Sequence, residues 1–359
     1  MKIHIVGGFL GSGKTTAIIA AARLLMQQGK RIGIVTNDQG KFLVDTHFFR
    51  LSMLPTVEVT GGCFCCNYDD LEKHLDYLRD TVNPDVIFAE SVGSCADIIA
   101  TVARPLLLLK SGAHSPASVS VFVDSRLLQM RLNEIALPFN DNVVYIFDKQ
   151  IEEAGVLVVN KIDRIKPGGL SGLETLARLR YPDKTIFFQN SLDESSVSNW
   201  TEHIQTMLWT PPSLPLQIDY PTYGAGEAAL AWFDEILEFQ PPAKDAYEVT
   251  LHLLKTLYDL ADEANLPTGH IKFLVQTGEI TAKISRTALG DTDWTTSLPQ
   301  FTSNQVKIII NARVETTALR LKALVTNAIQ QALLPLGISY TEHDQAAFHP
   351  GYPTPTHRM

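Results

Sequence analysis

Long hydrophobic runs, basic charge and spaced cysteines are all scarce in this chain of 359 residues. No apolar stretch approaches the roughly eighteen residues of a membrane span, so no membrane partner is expected. The formal net charge of −9 argues against a nucleic-acid partner, because phosphate binding needs a basic face. Of only four cysteines, three lie within four positions, too close to brace distant parts of a fold as disulfides. We therefore expect reduced thiols in a cytoplasmic protein, available for metal or redox chemistry.

The N-terminus carries the motif around which the chain is organised. Residues 2–6 alternate between polar and apolar side chains, as a strand does, and residues 17–26 form an apolar helical run. Between them, residues 8–15 fit the pattern G-x-x-x-x-G-K-[ST]. Glycines there let backbone N–H groups turn toward an anion, and the helix N-terminus adds partial positive charge. The sequence thus predicts a nucleoside triphosphate site. Its residues are Gly8, Gly11, Ser12, Gly13, Lys14, Thr15 and Thr16, with Lys14 reaching the β- and γ-phosphates and Thr15 holding Mg²⁺.

Strand and helix patterns alternate over the first two hundred or so residues. Further short buried strands are predicted at residues 31–36, 57–60, 85–89, 119–124, 155–159 and 185–188. This alternation predicts a doubly wound, mostly parallel α/β sheet. Ligands of such sheets bind at the carboxyl ends of the strands, which is where the polar motifs of this chain fall.

A proline-rich segment at residues 211–216 ends this alternation and is the predicted domain linker. Residues 1–210 would form the nucleotide-binding domain. Residues 217–340 contain helix and strand patterns that predict a smaller C-terminal α+β domain, which we expect to act in partner recognition. Residues 341–359 are rich in proline and are predicted to be a mobile tail.

Asn160, Lys161 and Asp163 follow a buried strand and resemble the N-K-x-D motif with which GTPases read guanine. A carboxylate can accept hydrogen bonds from guanine N1–H and the exocyclic amine, and adenine presents neither donor there. Facing adenine, Asp163 would be left desolvated and unpaired, at a cost of about 1–3 kcal/mol. Asn160 is expected to fix the loop, and the Lys161 stem to cover one face of the base. Ser191 is a further candidate for this pocket, with a solvated loop serine as the alternative.

Cys63, Cys65 and Cys66 offer three soft thiolates, a ligand set suited to Zn²⁺. In an extended strand Cys65 and Cys66 would point to opposite faces. The three can converge only if the chain turns, and the two glycines before Cys63 would permit that. Free thiols without a metal role are the alternative.

A fourth ligand for such a metal would have to come from elsewhere. The candidates are water, Asp38, a client protein and Cys95, although a buried structural cysteine is an alternative for Cys95. Three histidines are scattered near the C-terminus, and we interpret them as solvated tail residues; they are His343, His349 and His357.

The P-loop, Gly-Gly-Cys-x-Cys-Cys, Glu90-x-x-Gly93 and Asn-Lys-x-Asp follow one another in this order. With them the chain resembles a CobW-type GTPase, from a family related to the nickel GTPases UreG and HypB. Glu90 stands where other GTPases carry Asp, and Gln150 also fits the family. The resemblance covers residues 1–210 well and the C-terminal domain in outline. It implies a P-loop GTPase sheet, with Gly93 among the nucleotide-binding residues.

By this resemblance, Thr15, Asp38 and Glu90 surround Mg²⁺ and the γ-phosphate, and Lys14, Asp38 and Glu90 are the catalytic residues. Glu90 would position the attacking water. A loop cap is the alternative for Asp38, because the family more often has Glu there. The sequence offers no arginine finger, so we expect intrinsic turnover on the order of 10⁻⁴ to 10⁻² s⁻¹ until a partner completes the site.

The implied function is that of a GTP-hydrolysing metallochaperone. It would bind Zn²⁺, or Co²⁺ or Ni²⁺, at the cysteines and deliver it to a client apoprotein or metalloenzyme, with a nucleotide-dependent homodimer as a further expectation. The cysteines lie between residues 37–40 and Glu90, two loops that γ-phosphate should order, so metal and nucleotide binding would be coupled. Two alternatives stay open: a GTPase that gates loading of a corrinoid-type organometallic cofactor, and a nucleotide and metal sensor without turnover.

Overall fold

Two units make up the fold of the chain. The computed structural model describes residues 1–40, 44–109, 116–212, 214–242, 245–290 and 294–359; residue 213 of the predicted linker lies outside these ranges. One unit consists of Met1–Gln39, Asp45–Gly226 and Tyr352–Met359, and the other of Gly40–Val44 and Glu227–Gly351.

The first unit contains a seven-stranded parallel sheet. Its strands are β1 (Lys2–Gly8), β2 (Ile32–Asn37), β3 (Thr56–Val59), β4 (Val86–Glu90), β5 (Pro116–Asp124), β6 (Val156–Asn160) and β7 (Thr185–Gln189). They lie in the order β3-β2-β4-β1-β5-β6-β7. The central strands are apolar and buried along their length, as a parallel sheet covered on both faces requires. The predicted doubly wound α/β class is confirmed.

Helices connect these strands and cover the sheet. They are α1 (Lys14–Gln27), α2 (Val44–Leu51), α3 (Tyr68–Thr81), α4 (Arg104–Leu108), α5 (Ser125–Leu132), α6 (Asp141–Glu153), α7 (Leu170–Arg180), α8 (Glu194–Thr206) and α9 (Tyr220–Ala229). Helix α1 buries its alanine and isoleucine residues against β1, β2 and β4. On α8 the buried Trp200 satisfies its indole N–H with Oγ of Ser120, 3.0 Å away. This packing fixes the loops at the carboxyl edge of the sheet.

The second unit contains a five-stranded antiparallel sheet with two long helices. Its strands are β8 (Leu230–Phe239), β9 (Thr268–Gln276), β10 (Thr281–Thr287), β11 (Val306–Glu315) and β12 (Tyr340–Phe348), in the order β10-β9-β11-β8-β12. Helices α10 (Ala246–Glu263) and α11 (Ala318–Leu333) bury their apolar stripes in the same core as the sheet. A smaller α+β domain was expected here, and the structure has one.

A buried ion pair lies inside the second unit. Nη1 of Arg313 is 2.7 Å from Oδ1 of Asp234, and the two side chains are 1% and 0% exposed. The Asn311 amide donates a 2.8 Å hydrogen bond to the same carboxylate oxygen, and the Arg313 guanidinium lies 4.0 Å from the centre of the Trp232 ring. The negative charge of Asp234 is therefore balanced by the Arg313 guanidinium, and its carboxylate also accepts a hydrogen bond from the Asn311 amide.

The end of the chain is ordered, so the prediction of a mobile tail over residues 341–359 is wrong. Residues 340–348 form the edge strand β12, paired with β8 along its length. Residues 352–359 belong to the first unit, and the chain divides near Gly226, beyond the predicted linker at 211–216. Residues 341–344 of β12 are polar and exposed and its other side chains are only half-buried, so no buried hydrophobic pattern marks the strand, whose backbone pairs with β8.

Across the described ranges, no helix is both long and apolar enough to cross a membrane.

Candidate functional site

The P-loop runs from the end of β1 to the start of α1. Gly11 and Gly13 have φ angles of 72° and 90°, in the left-handed region that favours glycine. A Cβ on Gly13 would also collide with the amide of Asn160. Nζ of Lys14 donates to the carbonyl oxygens of Gly8 and Phe9, at 2.7 and 3.3 Å. The loop is thus wound as an anion-binding turn, with its lysine folded onto the loop itself.

Two features of this loop fit a phosphate ligand. The Ser12 hydroxyl is 1% exposed and has no hydrogen-bond partner within the part of the chain that the structure describes. The ammonium of Lys14 is buried and lies beside neutral carbonyl oxygens. Buried polar groups are normally satisfied, so an anion with several acceptor oxygens would give the Ser12 hydroxyl a partner and would lie beside a buried positive charge. Thr16 is half-buried in the first turn of α1.

Thr15 and Glu90 are brought into direct contact. The Thr15 hydroxyl donates a 2.9 Å hydrogen bond to Oε1 of Glu90, and both side chains are buried. Glu90 ends β4, which lies between β1 and β2, with Val6 and Thr36 in register beside it. A hydroxyl and a carboxylate are hard oxygen ligands of the kind Mg²⁺ prefers, so the donor set fits that ion.

Asp38 lies at the same edge of the sheet, just beyond β2. Its N–H donates to the carbonyl oxygen of Val59 at 3.3 Å, and the residue is half-buried. Burial raises the pKa of Glu58, and the negative charge of Asp38 raises it further. Asp38 thus shares the edge with Glu90, and its charge acts on Glu58.

Asn160 joins the P-loop to the loop after β7. Its amide nitrogen donates to the carbonyl oxygen of Ser12 at 2.8 Å, while Oδ1 accepts from the N–H and the hydroxyl of Ser191 at 3.1 and 2.7 Å. Asn160 and Ser191 are both buried. These three bonds hold the two loops at a fixed spacing, the role expected of Asn160.

Lys161 and Asp163 follow Asn160 in the segment predicted to read the base. Lys161 has a φ of 63°, and its Nζ lies 3.2 Å from Oδ2 of Asp124, the last residue of β5. Burial alone would raise the pKa of Asp124, but Lys161 and Arg126 outweigh it and lower that pKa. Asp163 is exposed, with its carboxylate 3.1 Å from Nε of Arg164. Asp124 was not among the residues predicted for this site; the signal for it in the sequence is an acidic residue at the end of a strand.

The cysteine loop after β3 turns sharply and gathers its thiols. Gly61 has a φ of 75°, and the Cys63 carbonyl oxygen accepts from the N–H groups of Cys66 and Asn67 at 3.0 and 2.9 Å. Sγ of Cys63 lies 2.7 Å from that of Cys65 and 3.2 Å from that of Cys66, and the last two are 3.8 Å apart. The turn required for convergence is present.

Asn37, the last residue of β2, is hydrogen-bonded to the cysteine loop and so joins it to the loop that follows β2. Its amide nitrogen donates to the carbonyl oxygens of Val59 and Gly62 at 3.1 and 2.7 Å, and its Oδ1 accepts from the Phe64 N–H at 2.8 Å. Asn37 immediately precedes Asp38, so the cysteine loop is bonded to the backbone that carries Asp38. From the sequence, residues 37–40 were expected to form a loop ordered by γ-phosphate, and nothing in the pattern pointed to these bonds of Asn37.

The thiols of the loop do not titrate alike. Hydrogen bonds from Cys65, Cys66 and Cys95 hold the pKa of Cys63 well below its usual range. The same contact with Cys63, together with burial, raises the pKa of Cys65 well above its usual range. The contacts within the cluster thus favour a thiolate among its thiols, the form that binds a soft cation.

The three histidines near the C-terminus have different surroundings. Nε2 of His343 is 3.0 Å from a Glu238 carboxylate oxygen, and Nε2 of His349 accepts from the Ala318 N–H at 3.1 Å. The His357 ring packs edge-on against Tyr68 with ring centres 4.9 Å apart. His349 and His357 are therefore packed, contrary to their interpretation as solvated tail residues.

Comparison with known proteins agrees with these motifs. Residues 2–187 match the family model described as CobW/HypB/UreG, nucleotide-binding domain. The zinc chaperone CobW of a Sinorhizobium species is 28% identical, over 47% of this chain and 53% of that protein. The zinc chaperone YeiR of Escherichia coli is 28% identical, over 48% of this chain and 50% of its own length. The chain thus spans about half the length of these curated relatives.

Among solved structures, HypB from Helicobacter pylori in complex with nickel covers 60% of this chain and 92% of its own. Its TM-score is 0.44 and its sequence identity 17%. The family match spans more than half of the 359 residues and includes every motif described above. The chain belongs to the CobW/HypB/UreG family of nucleotide-binding proteins.

Proposed function

We propose that this protein is a GTP-hydrolysing metallochaperone that loads Zn²⁺, or Co²⁺ or Ni²⁺, at Cys63, Cys65 and Cys66 and delivers it to a client apoprotein. The observation that carries the proposal is the bonding of Asn37 to the cysteine loop on one side and its direct connection to Asp38 on the other. A metal site and a nucleotide site are thereby built on adjoining segments. The chaperone role of the two curated relatives supports the same cargo.

Guanine selection follows from the base-reading segment. The exposed carboxylate of Asp163 is available to accept from guanine N1–H and the exocyclic amine, and Asn160 and Ser191 hold the loops at fixed spacing. Lys161 is held by Asp124, which positions its aliphatic stem to cover one face of the base. An ATP would leave Asp163 desolvated without a donor, so GTP is the proposed nucleotide.

Hydrolysis needs little covalent chemistry from the protein, because phosphoryl transfer depends on positioning and charge compensation. When bound, Mg²⁺ supplies charge neutralisation of the β- and γ-phosphates, held by Thr15 with Asp38 and Glu90. Lys14 leaves its carbonyl partners to bind the phosphates, and Glu90 orients a water toward the γ-phosphorus. We expect slow intrinsic turnover, on the order of 10⁻⁴ to 10⁻² s⁻¹, until a partner adds positive charge.

Three soft thiols within 4.8 Å of one another match the ligand preference of Zn²⁺ over harder cations. The loop after β2 and the loop after β4 both adjoin the γ-phosphate position, so GTP would order the segments that hold the metal. Hydrolysis then loosens them, and a docked client takes the cargo. The four free cysteines require a reducing compartment, for which we propose the cytoplasm. A nucleotide-dependent homodimer is part of the proposal.

The test uses the full-length protein loaded with Zn²⁺, Mg²⁺ and GTP and then desalted. Elemental analysis should find about one Zn²⁺ per chain, and a Cys63/Cys65/Cys66 triple Ser variant should lose it while still binding GTP. Transfer of Zn²⁺ to a chromophoric chelator should be faster with GTP than with a non-hydrolysable analogue. Equal Zn²⁺ in the triple variant would contradict the cargo site, and equal transfer rates would contradict delivery driven by hydrolysis.

A further inference from the structure

We infer that Cys95 is the fourth metal ligand, so that the cargo is held by four thiolates drawn from two different loops. This inference rests on the proposed function, since it names a further ligand of the same site. Cys95 follows β4 by five residues and lies outside the Gly-Gly-Cys-x-Cys-Cys segment. Its contacts, its fixed position and the coordination chemistry of Zn²⁺ carry the argument.

The thiol of Cys95 is in contact with the cysteine cluster. The thiols of Cys63, Cys65 and Cys66 lie within 4.8 Å of one another, and Cys95 is a hydrogen-bonding neighbour of the first two of them. Cys63, Cys65 and Cys95 are 5%, 5% and 3% exposed, whereas Cys66 is half-buried. A cysteine kept only for packing would be expected against apolar neighbours, as buried cysteines behave as small hydrophobes. This one meets two of the proposed ligands.

The backbone around Cys95 is held rigidly by buried side chains. The amide nitrogen of Gln150 donates to the carbonyl oxygens of Gly93 and Cys95, at 3.1 and 2.8 Å. The Ala96 N–H donates to the Tyr223 hydroxyl at 3.1 Å. The Cys95 N–H itself donates to the Val92 carbonyl oxygen at 3.1 Å. A ligand fixed in this way loses little freedom when a metal binds, which favours coordination.

Three thiolates leave a tetrahedral Zn²⁺ with one position to fill, and closed zinc sites fill it with a protein ligand. The buried thiol beside Cys63 and Cys65 supplies that ligand without an added water. Because the loop that carries Cys95 begins directly after Glu90, the metal would tie the cysteine loop to the segment expected to face the γ-phosphate. The link between metal and nucleotide would then include a metal–sulfur bond.

The experiment titrates Co²⁺, as a visible reporter for Zn²⁺, into reduced full-length protein. The wild type should give the intense visible bands of a tetrahedral four-thiolate site. In Cys95→Ser the thiolate-to-cobalt charge-transfer band should fall by about a quarter, as in a Cys66→Ser reference, since one thiolate of four is lost. Zn²⁺ affinity, measured by chelator competition, should fall on the order of tenfold or more.

The outcomes separate the inference from the proposed function. A Cys95→Ser spectrum and affinity equal to the wild type would overturn the inference and leave the three-thiol site standing. A wild type that binds neither Co²⁺ nor Zn²⁺ would overturn the proposed function itself. If Cys95→Ser does not fold, Zn X-ray absorption of the wild type decides. Four sulfur neighbours would support the inference, and three sulfurs with one lighter atom would refute it.

Discussion

The Thr15 hydroxyl donates a 2.9 Å hydrogen bond to Oε1 of Glu90, joining the first turn of α1 to the end of β4. A helix that follows the P-loop and a strand that precedes the next polar loop thus meet through two oxygen groups. This contact defines the position at which Mg²⁺ and the γ-phosphate are expected, and the first prediction concerns it.

Replacing Glu90 with Gln keeps the shape of the side chain but removes its charge. We expect GTP hydrolysis to fall by about 10²-fold or more, because a carboxylate that orients the attacking water contributes of that order. Binding of a non-hydrolysable GTP analogue should change only severalfold. Single-turnover phosphate release and nucleotide titration give the two numbers, and hydrolysis within twofold of the wild type would rule out the role assigned to Glu90.

Asp163→Ala should weaken the preference for GTP over ATP by roughly 10- to 100-fold, which corresponds to about 1–3 kcal/mol for one lost pair of hydrogen bonds. The measurement is the ratio of GTP and ATP affinities for each variant. Asp183→Ala, which removes an exposed aspartate between α7 and β7, serves as the control and should leave the ratio unchanged. An unchanged ratio in Asp163→Ala would assign base selection to other residues.

Glu153, at the end of α6, predicts a pH dependence of stability. Burial, and to a lesser extent the negative charge of the nearby Asp97, raise its pKa to about 8, although hydrogen bonds from the backbone N–H groups of Ile98 and Ile99 and the charge of Lys184 act to lower it. Between about pH 4.5 and pH 8 the folded state therefore keeps this proton, whereas the unfolded state has released it. The free energy of unfolding consequently falls as the pH rises from about 4.5 to about 8.

Glu153→Gln should remove that fall, because an amide stays neutral. Relative to the wild type, the variant should gain about 2–5 kcal/mol between pH 5 and pH 9. Urea unfolding at both pH values measures the gain, and other titrating groups cancel because both proteins carry them. A difference between the two proteins that is the same at pH 5 and pH 9 would show that Glu153 does not titrate in this way.

The ion pair of the second unit predicts a large loss of stability when one partner is removed. Asp234→Ala leaves the buried Arg313 guanidinium without its carboxylate, which should cost about 3–5 kcal/mol. Lys307→Ala, which removes an exposed ion pair with Glu238 in the same sheet, should cost about 1 kcal/mol or less. Denaturant unfolding compares them, and similar losses would mean that burial adds nothing to the pair.

The C-terminal residues lie against the cysteine loop and should shield it. The Thr356 N–H donates to the Cys65 carbonyl oxygen at 2.8 Å, and the Arg358 guanidinium lies 2.7 Å from the buried Asp97 carboxylate. Removing the Arg358 charge (Arg358→Ala) should release this segment and raise the rate at which a thiol reagent labels Cys66 severalfold. As a control, Arg23→Ala removes an exposed ion pair with Glu194, and Cys66 should be labelled in it as fast as in the wild type. Equal labelling rates in the two variants would show that the C-terminus does not cover the Cys66 thiol.

Residues whose pattern is local were predicted well from the sequence. The P-loop and the strands of the parallel sheet follow from glycine spacing and apolar runs, and both are present. The gathering of Cys63, Cys65 and Cys66 depended on a turn that the preceding glycines permit, and Gly61 makes it. Each of these features depends on residues within a few positions of one another.

Features that depend on distant pairing could not be predicted. The side chains of strand β12 are exposed or only half-buried, without a buried hydrophobic pattern, so its pairing with β8 is what reveals it. The bonds of Asn37 to the cysteine loop join residues 25 and 27 positions apart, and no periodicity marks them. The contact of Cys95 with Cys63 likewise requires the loops after β3 and β4 to be placed side by side. In each case tertiary placement supplies what the local sequence does not encode.

The central claim is that nucleotide and metal affect each other through adjoining loops. Isothermal titration of Zn²⁺ into the protein, with and without a saturating non-hydrolysable GTP analogue and Mg²⁺, measures this coupling directly. We predict affinities that differ by roughly 5- to 150-fold, tighter with the analogue, and the reciprocal titration must show the same factor. Equal Zn²⁺ affinities in the two titrations would contradict the account.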